Sequence, residues 1–316
     1  MRIKIGIAAE NRPREERVIL QPPELAPIAS SHQVMVEEGA GLGVGILDQE
    51  YEAVGANIAS REETYNCDLV VRIKEPDFDE IKLMRPGSII MSMMHLRCRP
   101  KLEAAIKKQG LIVISLENLK DPLGNRLVEA VLDSGRIGME YGFKLWQKDP
   151  TTCQVKIMGY GNMARGAIRC AARKLAKVEV LNRSQFTEME KHIRGTDILV
   201  DAVNRPYRRD VEEELPFVTR KMLKLFKKGS VIVDLVSNPE KHAPVESMRP
   251  TTLNDLHYVV DGIYHTSCWG WPGLEPLKIS KRYSKQVAPI LREIAEQGIE
   301  NAPDYIKKAM VRFDAV

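Results

Sequence analysis

The sequence predicts an α/β protein of two domains, each built around a parallel sheet. Three observations carry that expectation. Short apolar runs alternate with helix-like stretches from the first residues onward, the rhythm of strand-helix-strand units. One unit, VKIMGYGNMARGAIRCAARKLAKVEVLNRS from Val155 to Ser184, has a glycine turn between an apolar strand and a helix. The chain has 316 residues, 44% hydrophobic and 28% charged, a length that suggests two cores rather than one.

Taken in order, IKIGIA, the helix-like PPELAPIAS, QVMVEEG, CDLVVRIK, SIIMSMM, a helix around Lys101 to Gln109 and LIVISLE form the first domain. Gly39, Gly41, Gly43 and Gly45 fall in EEGAGLGVGI. The helical stretch DQEYEAVGA begins only at Asp48, so these glycines do not open it directly. They are expected to form a flexible connection rather than a second phosphate loop. DPLGNR, Asp121 to Arg126, is turn-rich and sets a boundary near residue 125. VEAVLDSGRIGMEYGFKLW then reads as the long helix joining the domains. TDILVDAV, SVIVDLVS and HYVVDGIYH supply further strands of the second domain. From Ser280, SKRYSKQVAPILREIAEQG has helical apolar spacing and is expected to pack back on the first domain, making it discontinuous. The expected division is 1–125 with 278–316 against 126–277, with a cleft between them.

The glycine unit has a specific chemistry. Gly159 permits the tight turn, Gly161 lets the backbone approach a pyrophosphate, and Ala164 stands where a small residue packs helix on strand. The helix from about Met163, with Asn162 just before it, offers its N-terminus to phosphate. A domain preferring NAD ends its second strand with Asp or Glu, about 20 residues on, for the ribose hydroxyls. Here Asn182 is neutral, Arg183 is cationic and Ser184 can donate. All three suit the 2′-phosphate of NADPH, because a planar guanidinium matches phosphate geometry. The second domain is therefore expected to be a Rossmann-type NADP-binding domain, and the plain alternative is an ordinary turn with no nucleotide.

Composition narrows the rest. The formal charge of +4 is small, and no Lys/Arg block stands out, so nucleic acid is a poor fit and anionic small molecules a better one. The start, MRIKIGIAAENRP, lacks a signal peptide's apolar region, and no apolar run approaches 18 residues, so no membrane span and a cytoplasmic location are expected. Cys67, Cys98, Cys153, Cys170 and Cys268 are scattered, with no C-x-x-C pair, and are read as structural thiols, with no metal.

In the first domain, Lys74 ends the strand LVVRIK and His95 ends SIIMSMMH. Ligands gather at the carboxyl ends of parallel strands, so both side chains should open onto one crevice. A lysine and a histidine there can bind a carboxylate and exchange a proton near neutral pH. Arg17, in REERVIL, could clamp a carboxylate in bidentate fashion. The alternative for each is a solvated cation, or a histidine satisfied at a strand end. Trp269 and Trp271 in HTSCWGWPGLEP are read as hinge packing more readily than as substrate contacts, and Arg282 and Tyr283 as possible parts of an amine-substrate pocket.

These residues together resemble the superfamily of alanine dehydrogenase, the NAD-binding subunit of proton-translocating transhydrogenase, and lysine-forming saccharopine dehydrogenase. The marks are AENRPREERV, VEEGAGLGVGILDQEYEAVGA, VRIKEP, MMHL, GRIGMEYG and the glycine fingerprint, which span nearly the whole chain. The resemblance implies that Arg17 and Lys74 bind the carboxylate of a 2-oxo acid such as pyruvate and that His95 is the general acid/base. Arg136, in GRIGMEYG, could reach the cofactor or the oxo acid, and a homo-oligomer is expected. The chain departs from alanine dehydrogenase in its shorter length, its NADP-like fingerprint, and Asn238 where that enzyme has an acid. Those departures bring it nearest to N5-(carboxyethyl)ornithine synthases, which condense pyruvate with the side-chain amine of an amino acid. The implied partners are thus a small 2-oxo acid and an amino acid. An ammonia-using dehydrogenase and a non-catalytic NADPH-binding sensor stay open beside this reading.

Overall fold

Strands rich in Val, Ile and Met form two sheets, each with its own apolar core. The structure is a computed structural model that describes residues 2–205 and 214–313. It divides into two units, Met1–Glu129 with Glu275–Val316, and Ala130–Leu274.

Unit 1 runs β1 (Lys4–Ile7), α1 (Pro22–Ala29), β2 (Gln33–Glu37), α2 (Asp48–Glu52), β3 (Asn57–Ala59), α3 (Arg61–Tyr65), β4 (Leu69–Lys74), α4 (Phe78–Leu83), β5 (Ile89–Met93), α5 (Pro100–Gln109) and β6 (Ile112–Ser115). Unit 2 holds α6 (Val131–Trp146), β7 (Gln154–Met158), α7 (Asn162–Arg173), β8 (Lys177–Leu181), α8 (Met189–Ile193), β9 (Ile198–Asp201), β10 (Val231–Asp234), β11 (Tyr258–Val260) and β12 (Ile263–Thr266). The chain then returns to unit 1 as α9 (Pro276–Gln297), α10 (Asp304–Ala309) and β13 (Met310–Arg312).

The first sheet has the order β13-β6-β5-β4-β1-β2-β3, parallel except for β13, which runs against β6. Val70, Val71, Ile90 and Val113 are sealed from solvent in its middle. Each such side chain is worth about 1.5–3 kcal/mol of burial. The strand order reverses between β4 and β1, and the carboxyl ends at that reversal are where this architecture places ligands. The second sheet has the order β11-β12-β10-β9-β7-β8, reversing between β9 and β7. HYVVDGIYH, read above as one strand segment, is a hairpin of β11 and β12, because Asp261 and Gly262 both take positive φ, at 51° and 79°.

Two expectations change. The run EEGAGLGVG is not a flexible connection. A Cβ on Gly43 would lie 2.5 Å from the Glu16 carbonyl oxygen, and one on Gly41 would lie 2.7 Å from that of Ile46. Glycine is needed there so that backbone can press on backbone beside Arg17. The GRIGMEYG helix, read as a linker, is α6 and packs on α7 inside unit 2. Residues 126–129 stay with unit 1, since Leu127 N–H bonds the Leu119 carbonyl and Arg282 grips Glu129. Among the described residues, no helix is long and apolar enough to cross a membrane.

Candidate active site

At the reversal point of the first sheet, β1 leads into a loop that carries Glu10, Arg12, Glu15 and Arg17. Arg17 is buried and makes a two-point ion pair with Glu15, Nε to Oε1 at 2.6 Å and Nη2 to Oε2 at 2.5 Å. Its guanidinium carbon lies 5.8 Å from the ring centre of Tyr283 on α9. Burial works to raise the Glu15 carboxyl, but the hydrogen bond and charge of Arg17 win and hold it below the usual range. Arg17 is thereby fixed in place by a carboxylate rather than left as a surface cation.

Lys74 ends β4. Glu10 accepts hydrogen bonds from the Ile73 and Lys74 amides at 2.6 and 3.2 Å, which fixes the strand end. Burial, then the charges of Arg17 and Arg12, push the Lys74 ammonium down to about 8, against the pull of Glu15 and Glu10. Burial likewise lifts Glu10 above the ordinary carboxylate range.

His95 lies two residues past β5 with φ 47° and ψ 39°, a left-handed conformation that costs a non-glycine residue energy and clusters at functional sites. Glu117, just after β6, holds it there. Its carboxylate accepts from the Met94 and His95 amides at 3.1 and 2.6 Å and lies 3.8 Å from His95 Nδ1. Burial keeps the imidazole below its usual value, with Lys74, Arg126 and Arg12 adding to that and Glu117 opposing it. Lys74 thus feels Arg17, and His95 feels Lys74, so the structure brings these three sequence-predicted residues into one electrostatic neighbourhood. At neutral pH it offers a fixed guanidinium, an ammonium that titrates close by, and a neutral imidazole.

At the reversal point of the second sheet, Gly159 follows β7 with φ 93°, a conformation open to glycine, and its amide bonds the Leu181 carbonyl at 3.1 Å. Gly161 caps α7, and a Cβ placed on it would meet nothing within 4 Å, so space lies open beside the turn. Asn162 and Met163 open the helix, one residue earlier than expected, and Ala164 is buried against the core. Asn182 Oδ1 accepts from Ser184 N–H at 3.0 Å and from its hydroxyl at 2.6 Å. This closes a turn that leaves Arg183 exposed. These features fit a dinucleotide: a tight turn, a helix N-terminus and a cationic turn after β8.

Three further residues singled out by the sequence have clear surroundings. Arg136 lies on α6 in unit 2, where it pairs with Asp133 and Glu140. Trp271, expected to pack, is buried in the unit 2 core and donates to the Asp234 carbonyl at 3.1 Å. Asn238 accepts from Arg205 N–H at 3.0 Å and donates to the Val203 carbonyl at 2.8 Å, stapling the segments that follow β9 and β10.

The sequence reading missed Glu10, Glu15, Glu117 and the buried carboxyls Asp201 and Asp234 at the ends of β9 and β10. Burial, then the charge of Asp234, drives Asp201 well above the carboxylate range. The usable signal was position for four of them, since Glu10 and Glu117 lie just past a strand and Asp201 and Asp234 end one, whereas Glu15 sits well along the loop after β1.

Comparison with known proteins bears on the whole chain. Residues 6–132 match the family described as "Alanine dehydrogenase/PNT, N-terminal domain", and residues 176–312 the family described as "Alanine dehydrogenase/PNT, C-terminal domain". Among curated proteins, alanine dehydrogenase of Bacillus subtilis (strain 168) is 26% identical, covering 94% of this chain and 87% of that protein. Alanine dehydrogenase 1 of Staphylococcus aureus (strain bovine RF122 / ET3-1) is 25% identical over 94% and 89%. Among solved structures, an L-alanine dehydrogenase superposes with a TM-score of 0.85 at 24% identity, covering 98% of this chain and 96% of that one. The transhydrogenase from Sinorhizobium meliloti superposes with a TM-score of 0.79 at 22% identity, over 93% and 94%. These two share the fold. The strand ends that carry Arg17, Lys74 and His95 and the glycine turn of the second sheet therefore lie in a chain that belongs, through its N-terminal and C-terminal domains together, to the alanine dehydrogenase/PNT family.

Proposed function

We propose that this protein is an NADPH-dependent oxidoreductase that condenses a 2-oxo acid, pyruvate, with the side-chain amine of an amino acid such as ornithine or lysine, and reduces the product to an N-(carboxyethyl)amino acid. The observation that carries the reading is the pairing of a half-buried Lys74, brought down to about 8, with a neutral His95 beside a fixed Arg17. A lysine that can give a proton near neutrality and an imidazole that can take one divide acid from base.

Arg17 and Lys74 hold the oxo acid's carboxylate. The neutral amine adds to the carbonyl carbon, and the His95 imidazole takes the proton that the nitrogen sheds. His95 returns that proton to the oxygen and Lys74 gives it a second, water leaves, and a protonated C=N bond remains. When bound, the nicotinamide supplies hydride to the carbon of that bond. One oxo acid, one amine, one NADPH and one proton give one secondary amine, NADP⁺ and water. Placing the reactants together contributes about 7–11 kcal/mol, against roughly 10²–10⁴ in rate for a general acid or base, so positioning dominates. The role of NADPH is supported by Asn182, Arg183 and Ser184, which bring no carboxylate to repel a 2′-phosphate.

The similarity to alanine dehydrogenases favours a second reading, in which ammonia replaces the amino acid. NADPH absorbance with pyruvate, plus ammonia, ornithine or lysine in turn, separates the two. Loss of absorbance only with a diamino acid supports the synthase, loss with ammonia supports the dehydrogenase, and no loss in any mixture overturns both.

A further inference from the structure

Unit 1 contains a cavity of about 530 Å³ formed by the loop after β1, the β4–α4 connection and the turn into α5. That exceeds the needs of a three-carbon oxo acid and falls in the roughly 300–1,000 Å³ range of sites that enclose whole small molecules. Its polar groups are unusual in arrangement. Arg12 and Arg99 both pair with the same carboxylate oxygen of Glu75, which is buried. With Asp77 and Lys101 also in the lining, three cationic side chains face two carboxylates, so the cavity keeps a surplus positive charge. The other Glu75 oxygen, Oε2, is buried with no hydrogen-bond partner. A buried carboxylate oxygen without a donor is a cost that a ligand cation can remove.

The walls are apolar. Pro76, Phe78 and Leu102 line the cavity, and Phe78 is 51% exposed although its ring is large and hydrophobic. Arg12 connects the cavity to the candidate active site, since its charge acts on both Lys74 and His95.

A surplus positive charge, a buried carboxylate and an aliphatic wall match one ligand class. We propose that this cavity seats the α-amino acid head of the amine-donating substrate, its carboxylate on Arg12 and Arg99 and its α-ammonium on Glu75, with an aliphatic stem along Phe78 and Leu102 that carries the terminal amine. The assignment of that ligand as a substrate rests on the reductive-condensation reading; its binding does not. The subsite selects against simple diamines, which lack the carboxylate, and against ammonia, which reaches neither wall.

The test is calorimetric titration of the full chain with L-ornithine, L-lysine and 1,4-diaminobutane in the presence of NADPH, with the KM for pyruvate measured alongside. Arg99→Ala should weaken the diamino acid by about tenfold or more, the scale of a lost charge-assisted contact, and leave the pyruvate KM within about twofold. Arg99→Lys should restore part of the affinity. Phe78→Ala, at an exposed ring, should weaken the diamino acid a few-fold without disturbing the fold seen by circular dichroism. The diamine should bind weakly and ignore Arg99.

No diamino acid binding to the wild type, unchanged affinity in Arg99→Ala, or equal loss of pyruvate and amino acid would each overturn the subsite. Consumption of NADPH with pyruvate and ornithine, undiminished in Arg99→Ala, removes the subsite and leaves the synthase reading standing. Arg99-dependent binding of ornithine in a protein that turns over only ammonia does the reverse.

Discussion

Lys74 and His95 carry opposite risks as pH changes. Lys74, at about 8, loses its proton just above neutrality, whereas His95, held below its usual value, stays neutral until pH falls below about 6.5. The pH profile of kcat/KM should therefore be bell-shaped, with an alkaline limb near 8 from Lys74 and an acid limb below 6.5 from His95. A flat profile between 5 and 9 would remove both from the chemistry. The Lys74 shift also has a cost in stability. Its folded value is depressed from 10.5, so the fold favours the neutral amine; that contribution is complete above 10.5 and is lost as pH falls through 8. At pH 7 the ammonium is a burden on the fold. Lys74→Met should then raise the melting temperature at pH 7 by a few degrees, from about 1–3 kcal/mol, while ending turnover. The gain should shrink above pH 10, and a lower melting temperature at pH 7 would contradict the burial argument. Arg183, exposed after β8, makes a separate prediction: Arg183→Asp should shift preference from NADPH to NADH by at least about tenfold in kcat/KM, through lost pairing and added repulsion.

At the scale of elements, the α6–α7 contact is the tightest approach in unit 2. A Cβ on Gly135 would lie 1.9 Å from the Met163 carbonyl oxygen, and one on Gly166 would lie 2.2 Å from that of Leu132. No side chain can rotate away from a backbone clash, so the helices would have to separate. Gly135→Ala should cost about 2–4 kcal/mol, read as a drop in the denaturation midpoint, and should weaken the proposed nucleotide site because Gly161 of the glycine turn caps α7. An unchanged midpoint would mean that the helices pack more loosely than described. The same logic explains why Gly43 and Gly41 were misread. Spacing reports how many residues separate two glycines, but not which backbone segment leans on them.

For the molecule as a whole, unit 1 depends on a segment distant in sequence. Ser280 and Ser284 of α9 accept hydrogen bonds from the Val18 and Gln21 amides at 3.0 and 2.8 Å, and β13 adds the last strand to β6. Tyr283 packs by Arg17 from the same helix. Removing residues 275–316 should unfold unit 1 and leave unit 2, which has its own sheet and core, folded and able to bind NADPH. Limited proteolysis with NADPH fluorescence reads both halves. Protection of residues 2–129 in the truncated chain would show that α9 is dispensable.

The sequence by itself determined the α/β class, the order of most strands and helices, the glycine turn and its Asn182-Arg183-Ser184 ending, and the strand ends bearing Lys74 and His95. Those are properties of local periodicity, turn chemistry and spacing, which lie in neighbouring residues. Only the tertiary structure decided that Glu15 locks Arg17 and that Glu117 holds His95 in a left-handed turn. It alone joined Arg12 and Arg99 around Glu75, and put Trp271 inside the core of unit 2. Each of these depends on burial and on partners brought close by strand order, and desolvation and Coulomb energy act through space, with no regard for separation along the chain.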